Sequence, residues 1–350
     1  MPRPRYHFLM ADRDSLLHGI HILDGGMATE LEQLGASIDG PLWSAHVLED
    51  APEKILVVHR AYIAAGADVI ETASYQVSRM GYAEFGLTPE RADAALLRSV
   101  ELARTAAAEV SPRRVLVAAS LGPYGAALHN GAEYHGNYDC THADLVRFHQ
   151  ERIAVLADAR PEQAPDLFAF ETIPSLDEAE AVGEALAPWP HLAAWFSFTC
   201  RDSAHVAHGE LMADCARAVA GFPQIAAIGV NCTRPSLIAD LIVELRSASN
   251  KPILVYPNSG EDWDAQARCW TGTSDPADFG RAASNWFAAG AQIIGGCCRT
   301  RPEHIAQIST AAFFAKRAQG AGKGLKHYLD MVPDAPPDPG DELPEGWTPQ

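Results

Sequence analysis

Two adjacent cysteines, Cys297 and Cys298, follow two glycines and an apolar run in the segment IIGGCCRT. Neighbouring side chains of a strand point to opposite faces, so both thiols cannot be core residues of one regular strand. The glycines interrupt the strand, and both side chains can then turn toward one point. Cys232 ends another apolar run, in the segment GVNCT. Three thiolates that converge in this way predict a soft, tetrahedral metal site, for which zinc is the favoured ion.

The set of three cysteines leaves a fourth zinc position open, which is typical of a catalytic rather than a structural site. Three thiolates already give the ion a net negative charge, so it activates water poorly. Such a site suits a substrate thiol, which zinc deprotonates while leaving it nucleophilic. The pattern therefore predicts group transfer to sulfur in preference to hydrolysis. The alternative is that these cysteines are buried structural thiols.

Carboxylates end two other apolar runs, with Asp24 in HILDGG and Glu171 in DLFAFETIP. We expect both to bind the ammonium group of an amino acid that carries the reacting thiol. The backbone N–H groups of Gly25, Gly26 and Met27 can form an anion nest for the carboxylate of that amino acid. The alternative for each acid is an ordinary salt bridge or a helix cap.

These residues stand near the ends of eight β-rich runs that alternate with amphipathic helical segments. The runs are HGIHILDGG, ADVIETASYQ, RVLVAASLGP, DLFAFETIP, AAWFSFTC, AAIGVNCT, PILVYPNSG and AQIIGGCCRT. Such alternation predicts βαβ units and a parallel sheet. Eight strands, each with a helix or a long connection, predict an α/β fold of the (β/α)8 TIM-barrel type with its chemistry at the C-terminal strand ends. A doubly wound open sheet is the alternative.

The chain divides into an N-terminal extension (1–18), a single barrel domain (19–318) and a proline-rich, acidic tail (319–350). We expect the tail to be disordered or draped over the surface. Two helix-to-strand junctions, AAGADVIET and AAGAQIIGG, place a glycine where a helix C-cap turns the chain into the next strand.

Long loops follow the third and seventh strands, and barrels of this kind keep their specificity in such loops. The third loop contains His135, Cys140 and His142, which form an alternative metal cluster. We favour an interpretation of this loop as a cover of the active site. The remaining cysteines are interpreted as structural, and they are Cys200, Cys215 and Cys269.

The composition excludes several classes of partner. Of the 350 residues, 47% are hydrophobic and 21% charged, and the formal net charge is −18 without a cluster of Lys or Arg. We therefore expect no nucleic acid partner. Because no run approaches ~18 apolar residues and the N-terminus lacks a secretory pattern, we expect a cytoplasmic protein with no membrane contact. In a reducing compartment the seven cysteines favour metal binding or catalysis over disulfides.

Nine segments of the chain together resemble the homocysteine S-methyltransferase family. They are DGGMATELEQLG, PLWSAHVL, ETASYQ, GPYGA, ETIP, AWFSFT, GVNCT, VYPNSGE and GGCCRT. The resemblance runs from about Leu23 to Ile308 and is greatest to the branch that uses S-methylmethionine or S-adenosylmethionine. It implies a (β/α)8 barrel that binds one zinc ion per chain, with the homocysteine sulfur as the fourth ligand. The thiolate then attacks the methyl group of the sulfonium donor and gives methionine.

The resemblance also implies which residues bind the two substrates. The zinc ligands are Cys232, Cys297 and Cys298. The expected homocysteine contacts are Asp24, Gly25, Gly26, Met27, Thr29, Glu171 and Asn231. The candidates for the donor site are Trp43, Thr72, Tyr75, Tyr124 and Asn258. The aromatic members of this last set would attract a sulfonium by cation–π interaction, worth roughly 0.5–2 kcal/mol.

No cobalamin-binding or folate-binding domain fits in the remaining residues, so the expected donor is a small diffusible methyl compound. Betaine is the alternative donor. A zinc hydrolase or a non-catalytic zinc-binding protein on the same barrel is the alternative function, although a hydrolase would need histidine or bridging carboxylate ligands and no H-x-H follows the first strand. The sequence leaves open whether the protein is a monomer or a homo-oligomer.

Overall fold

A computed structural model of the chain describes residues 19–38, 46–264, 269–272 and 274–320. The predicted N-terminal extension, most of the predicted tail and Trp43 lie outside these residues, so the domain boundaries stay predictions. In the described ranges, no helix is both long enough and apolar enough to cross a membrane.

The described chain builds one eight-stranded parallel sheet and one small hairpin. The strands in chain order are β1 (His21–Ile22), β2 (Val69–Glu71), β3 (Leu116–Leu121), β4 (Leu167–Ile173), β5 (Ala194–Phe198), β6 (Ile225–Asn231), β7 (Ile253–Tyr256), β8 (Asp262–Asp264), β9 (Cys269–Thr271) and β10 (Ile293–Ile294). The parallel strands follow the order β1-β10-β7-β6-β5-β4-β3-β2, and a parallel bridge between Leu23 and Val69 joins β1 to β2. The sheet is therefore a barrel, as predicted. The antiparallel pair β8–β9 in the seventh loop was not predicted.

Helices separate the strands and surround the barrel. They are α1 (Met27–Gln33), α2 (Val47–Asp50), α3 (Pro52–Ala64), α4 (Arg79–Ala83), α5 (Pro89–Ala108), α6 (Tyr124–Ala127), α7 (His142–Ala157), α8 (Leu176–Leu186), α9 (Met212–Ala220), α10 (Ile238–Ala248), α11 (Pro276–Ala289) and α12 (Pro302–Gly320). Gly66 and Gly290 follow α3 and α11 with φ values of 109° and 114°. Only glycine adopts this conformation without strain, which confirms the two predicted junctions.

The core has two layers because successive residues of a strand point to opposite sides of the sheet. In β4, Phe168 and Phe170 belong to the layer between sheet and helices. Leu167 and Ala169 belong to the layer inside the barrel. Burial of each large apolar side chain stabilises the fold by about 1.5–3 kcal/mol. The same alternation turns Glu171 inward, at the C-terminal end of the strand.

Polar side chains replace apolar ones at the inward positions where the strands end. This inner polar layer contains Glu71, Ser120, Glu171, Ser197 and Tyr256. Its members bond to one another: the Ser120 hydroxyl donates to Glu171 Oε1, and the hydroxyls of Ser197 and Tyr256 share a hydrogen bond. The barrel interior is thus apolar except at its C-terminal mouth, where the predicted site residues lie.

Outside the barrel, α3 contains a buried histidine that makes the stability depend on pH. His59 is fully buried, and neither ring nitrogen has a hydrogen-bond partner among the described residues. Burial lowers the pKa of His59 to about 3, so between pH 3 and about 6.5 only the unfolded chain binds this proton. The folded protein therefore loses about 1.4 kcal/mol of stability per pH unit as the pH falls below about 6.5.

Replacement of this residue should remove that loss. We expect the free energy of unfolding of His59→Leu, relative to the parent, to increase by about 2 kcal/mol between pH 7.5 and pH 5. Urea titrations of both proteins at the two pH values measure this difference. A difference that does not change with pH would show that His59 is not held neutral by burial.

Candidate functional site

Three sulfur atoms meet at the C-terminal mouth of the barrel. Cys232 follows β6, whereas Cys297 and Cys298 follow β10. Their Sγ atoms all lie within 4.8 Å of one another, and those of Cys232 and Cys298 are 3.7 Å apart. Two ligands of a tetrahedral zinc with Zn–S bonds of about 2.3 Å are about 3.8 Å apart. The donor atoms and their spacing therefore fit zinc.

The alternative metal cluster in the third loop is not formed. Within the described ranges, the three cysteines are the only group of three or more His, Cys, Asp or Glu residues that could hold a metal ion. His142 pairs instead with Asp177 at 2.6 Å, and His135 Nδ1 accepts a hydrogen bond from the Asn137 N–H.

A turn brings the two adjacent cysteines to the same point. The Thr300 N–H donates to the Cys297 carbonyl at 3.1 Å, and Arg299 between them has a φ of 66°. Thr300 lies so close to the backbone at position 296 that glycine is required there, because a Cβ would lie 2.3 Å from Thr300 Oγ1. The chain therefore leaves the extended conformation at Cys297, and the strand rule that would separate the two side chains no longer applies.

Hydrogen bonds within the cluster distribute its protons unevenly. Hydrogen bonds with the thiols of Cys297 and Cys298 lower the pKa of Cys232 well below its ordinary value. The pKa values of Cys297 and Cys298 are raised well above theirs, first by the hydrogen bonds to Cys232. Hydrogen bonds from Tyr134 and Asn258 also lower the pKa of Cys232. The site therefore favours one thiolate, and a divalent cation would allow all three thiols to ionise.

An acidic pocket of three carboxyl groups lies beside the cysteines. Asp24 Oδ2 accepts the Glu71 N–H at 2.9 Å, and Glu171 accepts hydrogen bonds from the hydroxyls of Ser120 and Tyr256. Two further oxygens, Asp24 Oδ1 and Glu71 Oε1, are buried without a hydrogen-bond partner in the described part of the chain. Unpaired buried acceptors are costly, so this pocket is suited to a group that donates several hydrogen bonds.

Burial and mutual repulsion hold these acids partly protonated. Burial is the main cause of the raised pKa of all three, and it brings that of Glu171 to about 7. The charge of Glu171 further raises the pKa of Asp24, and both charges raise that of Glu71. A bound cation would remove this repulsion and favour the ionised forms. Glu71 was not predicted as a binding residue, although it stands two positions after the inward Val69.

The third loop places two more polar residues against the cluster. The Tyr134 hydroxyl lies 3.6 Å from Cys232 Sγ, while the residue remains 52% exposed. The neighbouring Glu133 has a buried Oε2 atom without a partner in the described residues, and burial raises its pKa to about 7. The loop was predicted to cover the active site, but neither residue was predicted to belong to the site, because no periodic pattern marks them.

Comparison with known proteins agrees with this geometry. The sequence model of the homocysteine S-methyltransferase family matches residues 21–312 of this chain. The chain belongs to this family. Homocysteine S-methyltransferase YbgG of Bacillus subtilis (strain 168) is 43% identical over 299 residues, which are 83% of this chain and 94% of that protein. Homocysteine S-methyltransferase of Escherichia coli (strain K12) is 43% identical over 295 residues, with the same two coverages.

The fold of this family member also matches a solved structure. The metallated form of the homocysteine methyltransferase MmuM from Escherichia coli superposes with a TM-score of 0.76 at 40% sequence identity. The match covers 86% of this chain and 99% of the MmuM chain. The matched family region extends from β1 into α12, so it contains the cysteine cluster and the acidic pocket.

Asn231 of this family member fixes the backbone beside the site through two hydrogen bonds to Thr172. Its amide accepts the Thr172 N–H at 2.7 Å and donates to the Thr172 hydroxyl at 2.8 Å. Asn231 is fully buried, so both ends of its amide are used within the protein. The clamped Thr172 and the following Cys232 have φ values of 60° and 47°, which non-glycine residues rarely adopt. Asn231 thereby holds the backbone that presents Glu171 and Cys232.

The first loop of the family member is hydrogen-bonded to the segment that follows β10. The Gly26 N–H donates to Thr300 Oγ1 at 3.1 Å, and the Thr29 hydroxyl accepts the Arg299 N–H at 3.0 Å. The predicted nest residues Gly25 and Gly26 precede Met27, the first residue of α1. This loop therefore ties the first strand to the two cysteines.

The predicted donor residues divide into two groups. Asn258 donates to Cys232, and the Tyr75 hydroxyl bonds to Thr172 beside the cluster, so both lie at the site. The Thr72 hydroxyl bonds to Ser74 and to the Ser120 N–H. Tyr124 packs against the rings of Tyr138 and Phe148. The structure thus brings Asn258 and Tyr75 to the cysteines, while Thr72 and Tyr124 make their contacts within the protein.

Proposed function

We propose that this family member transfers a methyl group from a sulfonium donor, S-methylmethionine or S-adenosylmethionine, to the sulfur of homocysteine and forms methionine. One zinc ion would be held by Cys232, Cys297 and Cys298. The observation that carries the proposal is the cluster itself, three sulfur atoms at zinc spacing beside a buried acidic pocket. The metallated form of the MmuM relative supports a metal in this family. Zinc would supply ionisation of the homocysteine thiol without loss of its nucleophilicity.

The acidic pocket is suited to the amino group of homocysteine. An ammonium group has three N–H donors, and Asp24, Glu71 and Glu171 supply acceptors around one space. Glu171 is close enough to Cys298 that its charge raises the pKa of that thiol. An amino acid held there by its ammonium group would therefore place a side-chain thiol near the three cysteines.

A further set of residues beside the cluster is suited to a cationic donor. The ring of Tyr134 and the carboxyl group of Glu133 lie beside Cys232, and both attract a positive charge. Betaine and sulfonium compounds each carry that charge. We prefer the sulfonium because the segments PLWSA and YPNSGE resemble the branch that uses it. Transfer from a sulfonium releases a neutral thioether, so orientation of the two substrates supplies much of the rate and no general acid is required.

Methionine formation by the zinc-loaded full chain tests the proposal. Homocysteine is offered with S-methylmethionine, S-adenosylmethionine or betaine in parallel reactions, with Cys297→Ala as the control. We expect turnover with a sulfonium donor and none in the control. Turnover with betaine alone would transfer the protein to the betaine-using branch. Bound zinc without turnover from any donor would refute the methyl transfer.

A further inference from the structure

A buried chain of three polar side chains connects α7 with α8 beneath the third loop. Arg152 donates to His149 Nδ1 at 2.9 Å, and His149 Nε2 lies 3.0 Å from Glu178 Oε1. Each of these residues is at most 2% exposed. The guanidinium group also lies 4.1 Å from the centre of the Phe148 ring. None of the three contacts the cysteine cluster directly, so the proposed chemistry gives them no role.

The hydrogen bonds define the proton positions in this chain. A guanidinium group can only donate, so Nδ1 of His149 is an acceptor and its proton is on Nε2, from which it is donated to Glu178. His149 is therefore neutral, in agreement with a pKa that burial lowers to about 4. Arg152 and Glu178 carry the two opposite charges. The chain is a buried ion pair bridged by a neutral imidazole.

The outer ends of this chain hold both ends of the third loop, defined here as residues 122–138. Arg152 donates to the Gly122 carbonyl at 2.8 Å. Glu178 accepts the Tyr124 N–H at 2.5 Å and the Tyr138 hydroxyl at 2.9 Å. Glu133 and Tyr134 lie between these anchors, and Tyr134 reaches Cys232.

A buried ion pair is a poor means of stabilising a fold, because apolar residues of similar volume often serve as well or better. Its advantage is a defined geometry. Here it defines the geometry of the third loop, which places Tyr134 beside the cluster. We propose that Arg152, His149 and Glu178 are positioning residues that hold the third loop against the cysteine site and thereby set the affinity for the methyl donor. The kinetic part of this inference rests on the proposed function, whereas the conformational part does not.

Two substitutions at position 149 test the inference. Glutamine in His149→Gln can donate to Glu178 and accept from Arg152, whereas leucine in His149→Leu can do neither. We expect faster amide hydrogen exchange in peptides from the third loop of the zinc-loaded His149→Leu protein. We also expect its KM for the donor to rise about tenfold or more, the effect typical of a lost supporting contact, with the KM for homocysteine within about twofold. His149→Gln should resemble the parent in all three quantities.

Tyr138→Phe removes only the hydrogen bond from the loop to Glu178 and should show the same changes to a smaller extent. Asp177→Asn is the matched control, because this exposed neighbour of Glu178 pairs with His142 outside the chain. Parent-like loop exchange in both His149→Leu and Tyr138→Phe would overturn the inference. Faster exchange with an unchanged donor KM would overturn its link to the donor. If the parent itself transfers no methyl group, the proposed function fails, and the exchange data still decide whether the chain holds the loop.

Discussion

Cys232→Ala is expected to lose its zinc and its methyltransferase activity together. Two thiolates cannot complete the tetrahedral set, and Cys232 is the cysteine of the cluster whose pKa is lowered by hydrogen bonds with the other two. Residues that only support a metal ligand contribute about 10–100-fold to affinity or activity, so loss of a ligand should exceed about 100-fold. Zinc per chain, measured by mass spectrometry after dialysis, and methionine formation should fall in parallel.

Another buried thiol of the same chain provides the control for this experiment. Cys215 lies in α9 and is fully buried, but it is not part of the cluster. Cys215→Ala should retain about one zinc per chain and parent-like turnover, because it removes a sulfur of the same type from the hydrophobic core, away from the cluster. If Cys232→Ala kept both zinc and activity, the assignment of the metal site would be wrong.

Asp24→Asn should raise the homocysteine KM by at least about 30-fold, because breaking a buried charge pair costs about 2–5 kcal/mol. The amide carbonyl can replace Oδ2 as acceptor of the Glu71 N–H. Its NH2 group then occupies the position of the unpartnered Oδ1 and faces the substrate ammonium with N–H donors. The substitution therefore removes the negative charge and turns a hydrogen-bond acceptor into a donor at a single atom.

The same substitution should leave the ligand-free protein as stable as the parent or more stable, since it removes one of three neighbouring acids that repel one another. Asp68→Asn is the control for the kinetics at the opposite end of the barrel, where Asp68 Oδ2 accepts the Ile22 N–H and the carboxylate pairs with Arg113 and Lys316. Steady-state kinetics and urea unfolding of the two variants distinguish binding from stability. A parent-like homocysteine KM in Asp24→Asn would exclude Asp24 from the amino-group pocket.

The barrel was predictable because its pattern is local. Each β-rich run alternates with a helical segment along the chain, and the glycines of AAGADVIET and AAGAQIIGG mark where helices turn into strands. The hairpin β8–β9 was missed because its strands have three residues each and no alternating pattern. A run this short cannot be distinguished from an irregular loop by periodicity.

Only the site residues that lie at the ends of strands were predictable. Cys232 stands directly after β6, and Cys297 and Cys298 follow β10 after two glycines, so the parallel topology brings all three to one end of the barrel. Glu71 could have been found by counting two residues from Val69, since alternate positions share one face. Tyr134 could not, because its approach to Cys232 depends on how a long loop folds back across the barrel. The hydrogen bonds that occupy both ends of the Asn231 amide also depend on tertiary contacts.

Strand pairing in the barrel is short on both sides of β1. This strand pairs with β10 over two residues and is joined to β2 beyond its own end by the single bridge between Leu23 and Val69. Cys297 and Cys298 follow β10 at this seam, whereas Cys232 is anchored by the seven-residue β6 on the far side of β7. A metal that bridges them would link the segments after β10 and β6 across the intervening β7. Without the metal we expect β10 and its neighbour β1 to open locally first, because each pairing of β10 is only two residues long.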